Sequence, residues 1–242
     1  MSWLLDNLEL IGSLTVQHLR LSAIPIIVGL VVAIPLGWVA YRFQLTRGLL
    51  LTLVGLLYTI PSLALFVILP PIIGTPLLSE LNVIIALSIY AVAIMSRSIA
   101  DALASVDTDV KQAATAVGYS TWHRFWSVDF PLAGPVVLAG LRVVAVSTVS
   151  LLTVGAAIGI DTLGYLFTNG YQRGIVVSVL TGVIATVVIA LLVDRLLVLL
   201  GRALMPWTRV GEPRADRSAE SKQGVERRSL AFGRGTQQGG LP

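Results

Sequence analysis

Five long apolar stretches constrain the fold of this chain more than any other feature. They cover approximately residues 21–41, 49–69, 81–99, 135–157 and 175–200. A bilayer core of about 30 Å is crossed by about 20 apolar residues in helical conformation. Because lipid offers no hydrogen-bond partners, a spanning segment must pair its backbone groups internally, as a helix does. The sequence therefore predicts an all-α membrane protein with about five core transmembrane helices.

The composition agrees with a protein that lies largely in lipid. Of the 242 residues, 55% are hydrophobic and only 12% are charged, which is far less charge than a soluble domain of this size needs to cover its surface. The formal net charge is +4, but the basic residues flank the apolar stretches and form no stripe with interleaved aromatic residues. Nucleic-acid binding is therefore not expected.

Patterns typical of catalysis and metal binding are missing from the sequence. The chain contains no cysteine, so thiolate metal sites and cysteine nucleophiles are excluded. His18 and His123 are its only histidines, and the patterns HExxH, GxSxG and GxxxxGK(S/T) do not occur. We therefore expect no metal, no cofactor and no enzymatic activity, and the chain is not expected to bind ATP phosphates itself.

Positive charges alternate between the loops that join the predicted helices. Cytoplasmic loops of membrane proteins carry an excess of Lys and Arg. Basic residues follow the first, third and fifth stretches, whereas none follows the second and only Arg173 follows the fourth. This alternation predicts an N-terminus outside the cell, a C-terminus in the cytoplasm and a cytoplasmic segment over residues 101–131. Arg20 is the one charge on the contrary side.

The two ends of the chain are predicted to lie outside the transmembrane bundle. Over residues 1–20, five apolar side chains share one face at helical spacing: Leu4, Leu5, Leu8, Ile11 and Leu14. This pattern predicts an amphipathic helix at the membrane interface. Residues 207–242 are rich in Gly, Arg, Ser and Gln, which predicts a disordered cytoplasmic tail.

The segment over residues 101–131 contains more helix-capping and helix-ending residues than a plain connector would. Thr108 or Asp107 can cap a first helix, and Gly118 is suited to end it. Ser120 or Thr121 can cap a second short helix, which carries the aromatic residues Trp122, Phe125 and Trp126. Pro131 and Pro135 are expected to close the segment. The sequence predicts a helix–turn–helix with small residues on one arm and aromatic residues on the other.

Two interpretations of this helix–turn–helix are open on the pattern alone. Small residues allow another surface to approach closely, and aromatic residues supply large anchors at protein interfaces. The segment can therefore be a docking element for a partner protein. It can equally be an amphipathic linker that rests on the membrane, with Trp122 and Trp126 in the interfacial aromatic belt.

A group of hydroxyl-bearing residues surrounds a proline inside the second apolar stretch. Tyr58, Thr59 and Ser62 flank Pro61. Proline frees a backbone carbonyl, and hydroxyl groups beside it can give a translocation pathway a polar lining. In the alternative interpretation, Thr59 and Ser62 only satisfy the freed carbonyl. Pro25 and Pro35 are interpreted as ordinary kinks.

Two further features of the later stretches have structural interpretations. Arg142 lies inside the fourth stretch, where a charge must face protein or water or reach the interface. We favour pairing between helices or an interfacial position over contact with a solute, and we interpret Asp194 as interfacial. Gly155 and Gly159 form a GxxxG pattern, which is suited to close helix packing within the chain or across a dimer.

The cytoplasmic segment resembles the EAA motif of ABC importer permeases. The motif reads EAA, three residues, Gly, nine residues and then I-x-L-P. Here Gln112, Ala113, Ala114 and Gly118 fall in register, and residues 128–131 end in Phe130 and Pro131. The resemblance implies a type I ABC importer (MetI-like) fold whose coupling helices dock on a cytoplasmic ATPase, with Trp122 and Phe125 among the docking residues. Gln112 stands where Glu is usual.

Further stretches are similar to osmoprotectant permeases of the OpuC/ProW type. These stretches are Thr15-Val16-Gln17-His18-Leu19, then Thr59-Ile60-Pro61-Ser62-Leu63-Ala64-Leu65, and finally Ile158-Gly159 with Leu163-Gly164. The resemblance covers approximately residues 15–200. It implies a permease domain over residues 21–200 in a bacterial plasma membrane, with solutes such as glycine betaine, choline, carnitine or proline.

The same resemblance implies three partners: a cytoplasmic ABC ATPase dimer, a second identical or homologous permease subunit, and an extracytoplasmic solute-binding protein. ATP hydrolysis would then reside on the separate ATPase chain. Alternative functions are a methionine-type or other small-solute ABC permease, a channel or scaffold unrelated to ABC importers, and a membrane enzyme. A passive channel or scaffold does not need a helix–turn–helix with EAA spacing, which favours the ABC permease.

Overall fold

Ten α-helices make up most of residues 2–211, which are the residues that the computed structural model describes. They are α1 (Ser2–Asp6), α2 (Leu8–Arg42), α3 (Gln44–Thr59), α4 (Ser62–Ile73), α5 (Glu80–Ala104), α6 (Thr108–Ala116), α7 (Thr121–Arg124), α8 (Phe130–Leu152), α9 (Gly164–Gln172) and α10 (Val176–Leu204). The all-α class is confirmed. Residues 206–211 form a 3₁₀ turn, and the rest of the predicted tail, residues 212–242, lies outside the described residues.

Four uninterrupted helical segments and one bent pair of helices are long and apolar enough to cross a membrane. The first is α2, whose 35 residues extend over about 52 Å at 1.5 Å per residue. No helix end lies at the predicted boundary between residues 20 and 21. The reason is that Leu14 and His18 are already buried within the bundle, so packing continues the helix through the predicted boundary. Pro25 and Pro35 lie inside α2 without ending it.

The second span is not the single rod that was predicted over residues 49–69. Its two halves, α3 and α4, meet at Ile60 and Pro61 with a bend of 100°. Ile60 has the extended conformation that proline imposes on the residue before it, with φ −67° and ψ 127°. Proline also has no N–H to continue the hydrogen bonding of α3. The chain therefore leaves α3 and starts α4 in a new direction.

The centre of the bundle is α5, which packs against α2, α3, α4 and α8. Glycines allow α2 to approach α5 closely. A Cβ atom added at Gly29 would overlap Ala91, and one added at Gly37 would lie 2.7 Å from the Cβ of Ile99. These two contacts lie two helical turns apart on α2, so α2 and α5 are in contact over much of their length.

The helix that enters the fourth span begins earlier than was predicted. One helical segment runs from Thr121 to Ile158, through α7, a π-helical turn at Phe125–Asp129 and α8. Pro131 therefore does not close the cytoplasmic segment, and Pro135 lies inside α8. Pro131 follows directly on the π-helical turn, a local break in the regular hydrogen bonding of the helix.

Gly155 and Gly159 do not bring two helices close together within the chain. They lie at the end of the fourth span, in and after a 3₁₀ turn at Thr153–Ile158. A Cβ atom at Gly155 would meet Val83 at an ordinary distance of 3.7 Å. Gly159 has φ +84°, a left-handed conformation that ends the turn and favours glycine. Tight helix contacts occur at other glycines, among them Gly29 and Gly37, and packing of Gly155 and Gly159 across a dimer stays a prediction.

Candidate functional site

The helix–turn–helix between α5 and α8 has the local structure that was predicted. The Asp107 carboxylate accepts a hydrogen bond from the N–H of Asp109 at 2.8 Å and caps α6. Gly118 follows α6 with φ +99°, and the Ser120 hydroxyl accepts from the N–H of His123 at 3.3 Å to cap α7. Each of these signals is local in sequence. We call residues 107–126 the coupling element.

The turn of the coupling element presents apolar side chains to the surroundings. Val117 is 80% exposed and Trp122 is 61% exposed. Gln112, Ala113 and Gly118 are exposed as well, while Ala114, Phe130 and Pro131 are partly buried. Exposed valine and tryptophan beside small residues form a surface on which a second protein can pack.

Phe125 is buried in the core and is not on this surface, contrary to its predicted role. Its side chain is 2% exposed. Its ring contacts Trp38 of α2 at 6.1 Å and Trp122 at 6.1 Å between centroids. Trp122 also contacts Trp38, at 6.2 Å. The aromatic arm thus joins the coupling element to α2, and only part of it remains available to a partner.

Lys111 fixes the first arm of the coupling element to the bundle, and sequence reasoning did not identify it. Its side chain is almost fully buried, and its ammonium group donates a hydrogen bond of 2.9 Å to the carbonyl of Leu103. It also lies 5.0 Å from the ring centroid of Tyr41. Leu103 and Tyr41 lie in the last turns of α5 and α2, where free carbonyls and the helix dipole favour a positive charge. Lys111 therefore connects α6 to both helix ends.

Arg124 connects the two arms of the coupling element to each other. Its guanidinium group donates to the Thr115 hydroxyl at 2.9 Å and to the carboxylate of Asp129 at 3.3 Å. Asp129 is buried, so this ion pair is screened less by water than a surface pair. The contacts hold the angle between α6 and the helix that continues into α8. The coupling element can therefore move as one body with the ends of the spans.

A groove that carries charged side chains among apolar ones lies between α3 and α5. It has a volume of about 370 Å³ and is lined by Leu51, Gly55, Tyr58, Ala93, Ile94, Arg97, Ser98 and Asp101. We call it the α3–α5 groove. Charged residues do not face lipid without strong compensation, so a groove that carries Arg97 and Asp101 is suited to face water or protein. Of the four residues predicted for a pathway, Tyr58 lines this groove.

The other three predicted pathway residues lie at the bend beside the groove. Pro61 immediately precedes α4, and Ser62 is its first residue. The Thr59 hydroxyl donates to the carbonyl of Leu56 at 2.7 Å, whereas the carbonyl that Pro61 deprives of its helical donor is that of Leu57. The carbonyl at the bend itself belongs to Ile60, and it accepts a hydrogen bond of 2.5 Å from the hydroxyl of Tyr90. Tyr90 was not identified from the sequence.

Two of the segments that carry the family resemblance meet at His18. Its Nδ1 atom accepts from the N–H of Leu163 at 3.3 Å. Its Nε2 atom therefore carries the proton and donates to the carbonyl of Val149 at 3.0 Å. His18 is fully buried and so joins α2, α8 and the start of α9. Within residues 2–211, no three His, Asp or Glu side chains are placed to hold a metal ion.

Two charges that the sequence left unexplained have partners. Arg142 of α8 forms a two-pronged ion pair with Asp194 of α10, with atom distances of 2.6 and 2.9 Å. Pairing between helices, one of the two arrangements favoured for Arg142, is therefore confirmed, and Asp194, which was interpreted as interfacial, is its partner. Arg20, the contrary charge, lies 3.6 Å from Glu80, which compensates its charge.

The fold and these sites together define a transport permease. Several apolar spans surround a bent helix pair, a charged groove follows one face of the central helix, and a rigid element with an exposed apolar surface is fixed to the ends of the spans. The chain belongs to the family described as binding-protein-dependent transport system inner membrane component, whose model matches residues 26–206. It is thus a multi-pass inner-membrane permease.

Relatives and solved structures agree with this membership. The chain is similar to the osmoprotectant import permease protein OsmW of Salmonella typhimurium, with 30% identity over 84% of this chain and 96% of the relative. It is also similar to the glycine betaine/carnitine/choline transport system permease protein OpuCB of Bacillus subtilis, with 28% identity over 79% of this chain and 87% of the relative.

A permease chain of the inward-facing MetNI methionine ABC transporter shares the fold. The TM-score is 0.72 at 22% sequence identity, over 82% of this chain and 98% of that chain. The predicted type I ABC importer (MetI-like) fold is therefore confirmed.

Proposed function

We propose that this chain is the membrane-spanning subunit of an ATP-driven importer for osmoprotectants of the glycine betaine, choline, carnitine or proline type. The names of the relatives OsmW and OpuCB support this substrate class. The single observation that carries the coupling to ATP is the turn at Gly118, which presents exposed Val117 and Trp122 on an element fixed to two span ends. The positive-inside bias supports a cytoplasmic position for this turn.

In this proposal, a cytoplasmic ABC ATPase dimer binds the coupling element and supplies the energy. Ala113 and Gly118 allow close approach, Gln112 offers side-chain hydrogen bonds, and Trp122 provides the large apolar contact. Closure of the ATPases displaces the coupling element, and Lys111 and the aromatic contact between Phe125 and Trp38 transmit the displacement to α5 and α2. ATP hydrolysis resides on the ATPase chains.

The solute is delivered outside by a separate binding protein and passes between two permease subunits, identical or homologous. The pathway runs along the α3–α5 groove and past the bend, so Tyr58, Thr59, Pro61 and Ser62 lie beside it. A charged groove must face water or protein when the chain lies in a membrane. The N-terminus is then outside and the C-terminus in the cytoplasm.

Two left-handed glycines provide a matched test of the docking proposal. Gly118 has φ +99° and Gly174 has φ +67°, and no atom lies within 4 Å of an added Cβ at either position. Asp is tolerated in the left-handed region better than most residues, but φ +67° lies within the small left-handed well and φ +99° lies beyond it. Gly118→Asp therefore carries the larger local backbone cost, and its membrane insertion is measured beside its docking. Only Gly118 lies in the coupling element.

Both variants are expressed with the ATPase and binding protein of the same transporter. We expect Gly118→Asp to lose co-purification with the ATPase and solute uptake while its membrane insertion is retained, and Gly174→Asp to keep both activities. Normal uptake by Gly118→Asp contradicts docking at this turn. Competition of uptake by glycine betaine, choline, carnitine, proline and methionine tests the substrate class, and competition by methionine alone contradicts it.

A further inference from the structure

We propose that the α3–α5 groove binds a zwitterionic solute, with a quaternary ammonium group against the ring of Tyr58 and a carboxylate against the guanidinium group of Arg97. The inference rests on the proposed function and assigns a solute-binding role to the permease chain itself. The volume of the groove, about 370 Å³, lies within the range of about 300–1,000 Å³ that is typical of small-molecule sites.

The groove carries an aromatic end and a cationic end on one face of α5. Tyr90, Arg97 and Asp101 follow each other at intervals of seven and four residues, so they share a face of the helix. Tyr90 contacts Tyr58 edge to face, with 5.6 Å between the ring centroids. Arg97 lies about 10 Å along the helix axis from Tyr90. Its Cβ points toward the N-terminal end of α5, which is the direction of the tyrosine pair.

Arg97 is a cation that the described part of the chain leaves uncompensated. Its side chain is exposed, and among residues 2–211 it takes part in none of the ion pairs or hydrogen bonds. The nearby carboxylate of Asp101 is engaged elsewhere, because Arg47 approaches it at 2.8 Å. The groove therefore keeps one positive charge. A carboxylate is the natural partner of a guanidinium group, which can bind it with two parallel hydrogen bonds.

Tyr58 supplies the complementary end of the groove. Its ring is about half exposed, and the edge-to-face contact with Tyr90 fixes its orientation. Tyr90 is in turn held by its hydrogen bond to the carbonyl of Ile60. A quaternary ammonium ion has no hydrogen to donate, so its attraction to an aromatic face is the main specific contact available to it. An oriented, accessible tyrosine at mid-span is suited to provide that contact.

Binding of glycine betaine and of choline tests the roles of Tyr58 and Arg97 separately. Both carry a trimethylammonium group, but only glycine betaine has a carboxylate. The full-length chain in lipid nanodiscs is titrated with each radiolabelled solute. The variants are Arg97→Gln, Tyr58→Leu and Tyr58→Phe, and the control is Arg173→Gln, which removes an exposed arginine outside the groove.

We expect Arg97→Gln to weaken glycine betaine binding by about ten-fold, the effect of one lost charge-assisted contact, and to leave choline binding nearly unchanged. Tyr58→Leu should weaken the binding of both solutes by about five-fold. Tyr58→Phe should leave the binding of both solutes nearly unchanged, because the ring remains. A general loss of structure would weaken the binding of both solutes in the same variant, which differs from the pattern expected for Arg97→Gln. Arg173→Gln should bind as the unmodified chain does.

Three results overturn the groove assignment: equal weakening of both solutes by Arg97→Gln, no weakening by Tyr58→Leu, or no binding of either solute to the unmodified chain. The proposed function is tested separately by uptake through the complete transporter. Uptake of glycine betaine without binding in the groove rejects the site and keeps the function. Failure of the complete transporter to take up any osmoprotectant rejects the function.

Discussion

The hydroxyl of Tyr90 on α5 donates a hydrogen bond to the carbonyl of Ile60, the residue at which the chain turns by 100° between α3 and α4. The bond satisfies a backbone acceptor that no longer belongs to a helix, and such a group is costly to leave unpaired in lipid. It also fixes the bend to the central helix of the bundle. The direction of α4 therefore depends on a side chain 30 residues away in sequence.

Tyr90→Phe should therefore loosen the bend while keeping the ring contact with Tyr58. The variant loses one partly buried hydrogen bond and leaves the Ile60 carbonyl without its partner, a destabilisation of about 1–2 kcal/mol. Thermal unfolding of the purified chain in detergent measures the effect. Tyr171→Phe is the control, since Tyr171 is 86% exposed and its replacement should leave the transition unchanged. Equal shifts for both variants contradict the role of Tyr90.

The coupling element illustrates how much of this protein can be predicted from local sequence signals. The caps at Asp107 and Ser120 and the left-handed Gly118 depend only on residues within one helical turn. Gly118 was predicted as the end of the first helix, and each cap was predicted as one of two neighbouring residues. The burial of Phe125 depends on Trp38, which lies 87 residues earlier. No spacing rule indicates which aromatic side chain of an amphipathic helix faces the bundle.

The groove and the bend show the same limit. Pro61 predicts a break in hydrogen bonding, but the angle follows from how α4 packs against α5 and from the Tyr90 contact. Arg97 falls near the end of the third predicted stretch and lies inside α5. Its place in the groove depends on α3 as a neighbour, and the hydropathy of one segment contains no information about its neighbours.

The ion pair between Arg142 and Asp194 should behave as a unit. Each residue lies in a long apolar helix, and removal of one partner leaves the other charge without compensation. We expect Arg142→Met and Asp194→Leu to lower the yield of folded, membrane-inserted protein strongly. The exchanged pair, Arg142→Asp with Asp194→Arg, should recover part of that yield. An exchanged pair no better than the single variants shows that the contact is not required.

Lys111→Met should separate binding of the ATPase from transport. The variant removes the hydrogen bond to Leu103 and the contact with Tyr41, worth about 1–3 kcal/mol together, while the exposed docking surface stays in place. We expect the ATPase to co-purify normally, with less solute transported for each ATP hydrolysed. Lys111→Arg keeps the positive charge and should retain more of the coupling. An unchanged ratio of transport to hydrolysis in Lys111→Met contradicts this role.

His18→Leu should destabilise the bundle without any change in charge, because the histidine is neutral in this arrangement. The variant leaves the carbonyl of Val149 and the N–H of Leu163 unpaired in a buried place, at a cost of about 2–4 kcal/mol. His123→Leu is the control, since His123 is exposed on the coupling element, and its effect on unfolding should be within about 0.5 kcal/mol. Thermal unfolding in detergent compares the two. A small shift for His18→Leu indicates that water replaces the imidazole.

Two glycines of α2 should respond to the same substitution with opposite signs. An added Cβ at Gly37 would lie 2.7 Å from the Cβ of Ile99 and 3.0 Å from the carbonyl oxygen of Ser96, both on α5. These are a β-carbon and a backbone atom, so relief requires α2 and α5 to separate. Overpacking of this kind costs about 1–3 kcal/mol. At Gly12 no atom lies within 4 Å of an added Cβ.

Gly12→Ala therefore gains helix propensity without a clash and should stabilise the chain by about 0.5–1 kcal/mol. Gly37→Ala makes the same gain locally, but the loss of contact between α2 and α5 outweighs it, so its net effect should be destabilising. Unfolding of both variants is measured in one detergent against the unmodified chain. Because the helix and the chemical change are identical, a difference in sign can only come from what surrounds each glycine. Two shifts of the same sign would contradict the close approach of α2 to α5.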